Sequence, residues 1–176
     1  QSVTLRTAGF ASFNQDALTE ASKVLSDLLM FVGGSSGSTA GGVKTVTMGL
    51  VVLSAVSTMR GRRQVTVFGR SISQEDIANA VSIALLVMGL SLLGAAVITV
   101  CDGCSFMNAI YETISALCTV GLTTGITPTL CTASKLILIV FMFFGRVGIM
   151  TIGVGFMMGD RARERVQYAE TKVMIG

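Results

Sequence analysis

The stretch FMNAIYETISALCTVGLTTG, Phe106 to Gly125, begins as a helix and then stops being one. Phe106 to Leu117 carries about 12 residues of helical pattern, which at 1.5 Å per residue reach about 18 Å, roughly half the depth of a hydrocarbon layer. Thr119, Val120, Gly121, Leu122, Thr123, Thr124 and Gly125, with Pro128 close behind, cannot continue that helix. The flanks are apolar and long. Ala78 to Val100 is 23 residues without a charge, and Leu136 to Met158 is 23 residues whose only charge is Arg146. Each exceeds the ~20 residues that cross ~30 Å of hydrocarbon. Span, half-helix, irregular loop, span is the layout of a pore loop. Irregular backbone at membrane depth survives only where protein or a water-filled path surrounds it.

The composition agrees with a membrane setting. Only 13% of residues are charged, against roughly 25% in a soluble domain, and the mean hydropathy is +0.73. The chain has no histidine, which removes Ser-His and Cys-His catalysis and histidine zinc sites, so an enzyme is not expected. Cys101 and Cys104 form one C-x-x-C, but Cys118 and Cys131 do not supply the second pair of a structural zinc site. The first residue is Gln1 and the first apolar stretch starts abruptly, so the chain reads as a fragment.

Eight of the thirteen basic residues fall in two segments, Arg60 to Arg70 and Arg161 to Lys172, and both are expected in the cytoplasm. Their position beside the spans favours this reading over a nucleic-acid surface. Asp16, Glu20, Asp102 and Glu112 lie in the segments left for the outside, which contain no lysine or arginine. The stretch RGRRQVTVFGR, Arg60 to Arg70, reads as a short hairpin or loop.

Thr7-Ala8-Gly9 returns as Thr119-Val120-Gly121, and Ala21-Ser22-Lys23 as Ala133-Ser134-Lys135, both at an offset of 112 with no gap. Leu5, Leu18, Met30, Phe31, Gly33, Thr39 and Gly41 also have identical partners at that offset. The chain is thus expected to hold the end of one helix-loop-helix unit and the whole of the next. Two such T-x-G loops suit a cation filter, in which backbone carbonyls replace the hydration shell without burying a charge. The candidate filter residues are Thr7, Ala8, Gly9, Thr119, Val120 and Gly121. A helix C-terminus aimed at them would favour a cation.

A second irregularity interrupts the apolar segment from Ala21 to Met59: Gly33, Gly34, Ser35, Ser36, Gly37, Ser38, Thr39, Ala40, Gly41, Gly42. Val43 precedes Lys44 where a phosphate-binding loop would need the lysine directly. A flexible linker would not sit inside an apolar segment, and a serine protease would need a base. A helix broken at membrane depth remains, so these residues are a candidate gate. Arg146 joins them, because mid-span it costs too much to face lipid and the repeat pairs it with Gly34. Lys44 and Arg146 are the charges expected at membrane depth.

LRTAGF (Leu5 to Phe10), GGSSGSTAGGVKT (Gly33 to Thr45), TVFGR (Thr66 to Arg70), TVGLTTG (Thr119 to Gly125) and FGRVG (Phe144 to Gly148) resemble the Trk/Ktr/HKT superfamily of potassium and sodium transporters. The likeness is greatest to the membrane subunit of bacterial Ktr systems. It implies an all-α integral membrane protein with four channel-like helix, pore-loop, helix repeats, of which this chain lacks the first two and the start of the third. Residues 1–59 would be the third-repeat filter loop and broken inner helix, and 60–76 a cytoplasmic basic loop. Residues 77–158 would be the fourth repeat, with outer helix 78–100, pore helix 106–117, filter 118–125 and inner helix 133–158. Residues 159–176 would be a cytoplasmic tail. The resemblance further implies uptake of K⁺ (or Na⁺) across a bacterial plasma membrane, no bound cofactor, a homodimer and a cytoplasmic nucleotide-binding regulatory subunit. The alternative is a secondary transporter with discontinuous helices for another small solute.

Overall fold

A computed structural model describes residues 2–12, 14–35, 41–61, 65–67 and 70–147. Helices dominate: α1 (Glu20–Phe31), α2 (Thr45–Met59), α3 (Gln74–Asp102), α4 (Phe106–Leu117) and α5 (Thr132–Val147). Between α2 and α3 a two-stranded antiparallel hairpin pairs β1 (Thr66–Val67) with β2 (Arg70–Ser71). The basic stretch was read as a hairpin or loop, and the described part of it is this hairpin.

Helix α3 is longer than the 78–100 apolar run that marked it. Ser73 caps its start by accepting from the Asp76 backbone N–H at 3.1 Å, and Glu75 and Asp76 lie in the first turn where the helix dipole favours them. Gly103 ends it in the left-handed conformation. Among the described residues α3 is the one helix long and apolar enough to cross a membrane. Val87, Ser91, Ala95 and Ile98 form its buried stripe, while Leu85, Leu93 and Val100 stay exposed. That is the pattern of a helix packed on protein along one face and solvated by hydrocarbon on the others. Helix α5 begins at Thr132 and is described to Val147; the remainder of the expected 133–158 helix lies outside the described residues.

Helix α4 occupies the 106–117 interval expected of it and forms the centre of the core. Every residue from Tyr111 to Cys118 is buried, and α4 packs against α1, α3 and α5. The end of α3 and the start of α5 are tied as well. The Asp102 carboxylate accepts from the Cys131 backbone N–H at 2.6 Å and from the Ser134 hydroxyl, so it caps α5 from a neighbouring helix.

The offset of 112 is visible in the backbone. Gln15–Ala17 and Thr127–Thr129 are both short 3-10 turns, and α1 starts at Glu20 as α5 starts at Thr132. Thr7 and Thr119 share positive φ (68° and 56°), as do Gly9 and Gly121 (71° and 85°).

Gly145 lets α5 rest on the end of α4. A Cβ there would overlap the Leu117 carbonyl oxygen and come within 3.0 Å of the Thr119 methyl group. Gly145→Ala should therefore push α5 away at a cost of about 1–3 kcal/mol, lowering the thermal midpoint of the detergent-purified protein. Gly49→Ala, in α2 where nothing stands within 4 Å, should leave the midpoint unchanged or raise it. Equal tolerance of both would show that the contact with Leu117 is not tight.

Candidate functional site

Three pieces of irregular backbone meet at the end of α4. The first is the α4 terminus itself. The Cys118, Thr119 and Val120 N–H groups return to the Ile114, Ala116 and Ser115 carbonyls, and the chain then runs out through Gly121. The last turn of α4 carries no basic residue, so the negative end of its dipole is directed at residues 119–121 uncompensated by its own side chains. Gly121 has open space around it, and its positive φ is the reason for glycine.

The second piece is the earlier T-x-G. The Ala8 and Gly9 N–H groups both reach the Thr4 carbonyl, at 3.1 and 3.0 Å. Gly9 lies so close to the Val120 carbonyl that a Cβ would overlap it. The structure thus brings Thr7, Ala8 and Gly9 to the same place as Thr119, Val120 and Gly121.

The third piece is the glycine-rich interruption between α1 and α2. Its ends are pinned to each other: Val32 and Val43 form a bridge, the Gly33 N–H donates to the Val43 carbonyl at 2.9 Å, and Thr45 donates to the Gly34 carbonyl through both its N–H and its hydroxyl. The returning arm touches the second T-x-G, where the Gly41 N–H donates to Thr119 Oγ1 at 3.2 Å. Gly33, Gly34, Ser35, Gly41 and Gly42 are described; Ser36, Gly37, Ser38, Thr39 and Ala40 lie outside the described residues. Arg146, exposed in the last turn of α5, lines a cavity of about 550 Å³ together with Glu112, Ser115, Thr119, Gly121 and Met142.

The buried charges are not the two that the sequence pointed to: Lys44 is half-buried and Arg146 exposed, whereas Lys23, Asp27 and Glu112 are buried. Lys23 Nζ donates to Asn108 at 2.9 Å. Asp27 Oδ1 is buried with no hydrogen-bond partner among the described residues. Glu112, counted from the sequence among the outward acids, turns inward from α4 and clamps the segment after Gly121. Its carboxylate accepts from the Thr124 N–H at 3.0 Å and from the hydroxyls of Thr123, Thr124 and Thr127. The adjacent Tyr111 hydroxyl donates to buried Gln15 at 3.1 Å. Gln15 and Thr127 are separated by the repeat offset, so α4 grips the two return segments at equivalent points. The cluster of threonines downstream of an acid was the only sequence signal for this. Among the described residues no cluster of three or more Cys, Asp or Glu could hold a metal ion.

A mostly helical chain with one helix long and apolar enough to cross a membrane among its described residues, and two matched irregular loops, has the build of a membrane protein. The family described as cation transport protein, TrkH, matches residues 1–163, and the chain belongs to it. It is 37% identical over its whole length to Ktr system potassium uptake protein B of Bacillus subtilis, and covers 39% of that protein. It is 36% identical over 99% of its length to the potassium/sodium uptake protein NtpJ of Enterococcus hirae, covering 40% of it. To Ktr system potassium uptake protein B of Vibrio alginolyticus it is 32% identical, covering 38%. The chain thus spans about two fifths of the length of these relatives.

Glu112→Ala should free the 122–127 segment, at a cost of about 1–3 kcal/mol for the buried donors left unpaired. Hydrogen exchange followed by mass spectrometry should show faster exchange over 122–127. Glu112→Gln, which keeps one carbonyl oxygen, should show a smaller increase. Unchanged protection in both would mean that the segment is held by something else.

Proposed function

We propose that this chain is part of a potassium uptake protein of the bacterial plasma membrane, with sodium as the competing or coupled ion, and that the ion passes the carbonyls of its T-x-G loops. What carries the reading is that two loops separated by 112 residues, both left-handed at threonine and glycine, meet at the C-terminal end of a buried half-helix. In this reading residues 1–59 are the filter loop and broken inner helix of the third unit and 77–158 the whole of the fourth, with 106–117 the pore helix. Thr7, Ala8, Gly9, Thr119, Val120 and Gly121 form half of a filter. Residues 60–76 and 159–176 face the cytoplasm. No cofactor takes part, and K⁺ or Na⁺ is the cargo.

Gly33 to Gly42 is the gate below the filter, and Arg146 the cation beside it. The positive charge of its guanidinium repels passing cations. Names such as Ktr system potassium uptake protein B describe relatives that work in a system. By resemblance we extend this to a homodimer with a cytoplasmic nucleotide-binding regulatory subunit.

Rubidium and sodium uptake by the complete gene product in bacteria deficient in potassium uptake tests the filter. Gly121→Ser adds no clash but disfavours φ 85°, so protein should still accumulate while the rubidium to sodium ratio falls. An unchanged ratio removes Gly121 from the filter. Arg146→Ala should raise rubidium uptake at low driving force with little change in that ratio. Loss of membrane accumulation with flux per molecule unchanged would make Arg146 structural instead.

A further inference from the structure

Thr119 is held from three directions. Its backbone N–H donates to Ala116 within α4, its methyl group lies against the Gly145 backbone of α5, and its hydroxyl accepts from the Gly41 N–H. It also sits at φ 56°, a left-handed conformation unfavourable for a β-branched residue and kept only where the surroundings impose it. Two of those surroundings are fixed helices. The third is the returning arm of the glycine-rich loop.

That arm has no slack against residues 118 and 119. A Cβ at Gly41 would overlap Thr119 Oγ1 and stand 2.8 Å from the Cys118 carbonyl oxygen, and one at Gly42 would stand 2.9 Å from Cys118 Sγ. The loop is anchored behind this contact by the Val32–Val43 bridge, so a displacement of residues 41–42 away from α4 breaks the bond to Thr119. The conformation at 119 orients the peptide that follows it, and with it the carbonyl of residue 119 and the Val120 unit.

We propose that Thr119 is a positioning residue that couples the glycine-rich loop to the filter backbone: the Gly41 N–H to Thr119 Oγ1 bond holds the loop in place and the strained threonine in its ion-selecting geometry, so loop displacement and ion selection change together. This deepens the reading of the T-x-G loops as a filter and of residues 33–42 as a gate, and rests on it. The threonine is specific to the task, since its hydroxyl meets the loop while its methyl meets α5 one residue before Arg146.

The test is a double-mutant cycle on the complete protein in liposomes, reading rubidium flux and the rubidium to sodium ratio per molecule. Thr119→Val removes the acceptor and keeps the branched shape. It should raise flux and lower the ratio together, each roughly two- to tenfold, the equilibrium worth of one hydrogen bond. Gly41→Ala expels the arm and should move both readouts the same way. In the Gly41→Ala background Thr119→Val should add nothing, because the contact is already broken. Thr119→Ser, which retains the hydroxyl, should recover part of the loss seen with valine. Additive effects, or a ratio that falls while flux does not rise, would overturn the coupling. If Thr119→Val fails to accumulate, the Gly41→Ala result decides alone: flux and ratio moving together support the coupling, and either moving without the other overturns it. Gly121→Ser, which touches no part of the loop, separates the two readings: a ratio it leaves unchanged defeats the filter assignment and the coupling with it, whereas a lowered ratio with additive Thr119 and Gly41 effects defeats only the coupling.

Discussion

A helix that ends inside a protein must dispose of its last carbonyls, and the end of α4 governs how the rest of this chain is arranged. The Leu117 carbonyl is covered by Gly145 of α5, the Cys118 and Thr119 positions by Gly41 and Gly42, and the Val120 carbonyl by Gly9. Each neighbour approaches with a glycine, so its backbone comes close to the end of α4. Oxygens are thereby concentrated at one place in an apolar surround, where an electrostatic interaction is stronger than in water. A cation is the ligand such a place suits, and the uncompensated helix end adds to the preference.

Holding backbone in that form takes polar side chains further back along α4. Glu112 and Tyr111 leave consecutive positions of α4 and seize the two return segments at Thr127 and Gln15. Ser115 adds a bond to the Leu122 carbonyl at 2.6 Å. A buried carboxylate is costly unless its oxygens are well supplied with donors. Glu112 accepts from three threonines, which suits a site where rigidity matters more than net stability.

Much of this was legible in the sequence, for reasons that can be stated. Helix type and the limits of α4 followed from the change between apolar periodicity and a glycine and threonine run. The repeat followed from matched residues, and the equivalence of Gln15–Ala17 with Thr127–Thr129 bears on the same register. The ends of α3 were misjudged because apolar content was used to mark a helix whose first turn is acidic and capped by Ser73. Lys23, Asp27 and Glu112 escaped notice as buried residues because a charge in a single sequence carries no sign of which way it faces. Their environment depends on partners up to 85 residues away, as with Lys23 and Asn108. The bond between Gly41 and Thr119 was illegible for the same reason, since it crosses 78 residues of chain.

The bond network from Asp102 to Cys131 and Ser134 fastens the end of α3 to the start of α5. Such a joint is a pivot, and the length of α5 beyond it is a lever arm. From Thr132 to Arg146 is about 21 Å along the axis at 1.5 Å per residue. A tilt of roughly ten degrees about the Asp102 pivot would therefore carry Arg146 by about 4 Å at that rise per residue, while the capped end stays in register. The polar joint can then hold the start of α5 in register while even a small tilt is felt at the contact of Gly145 with Leu117, where there is no spare room.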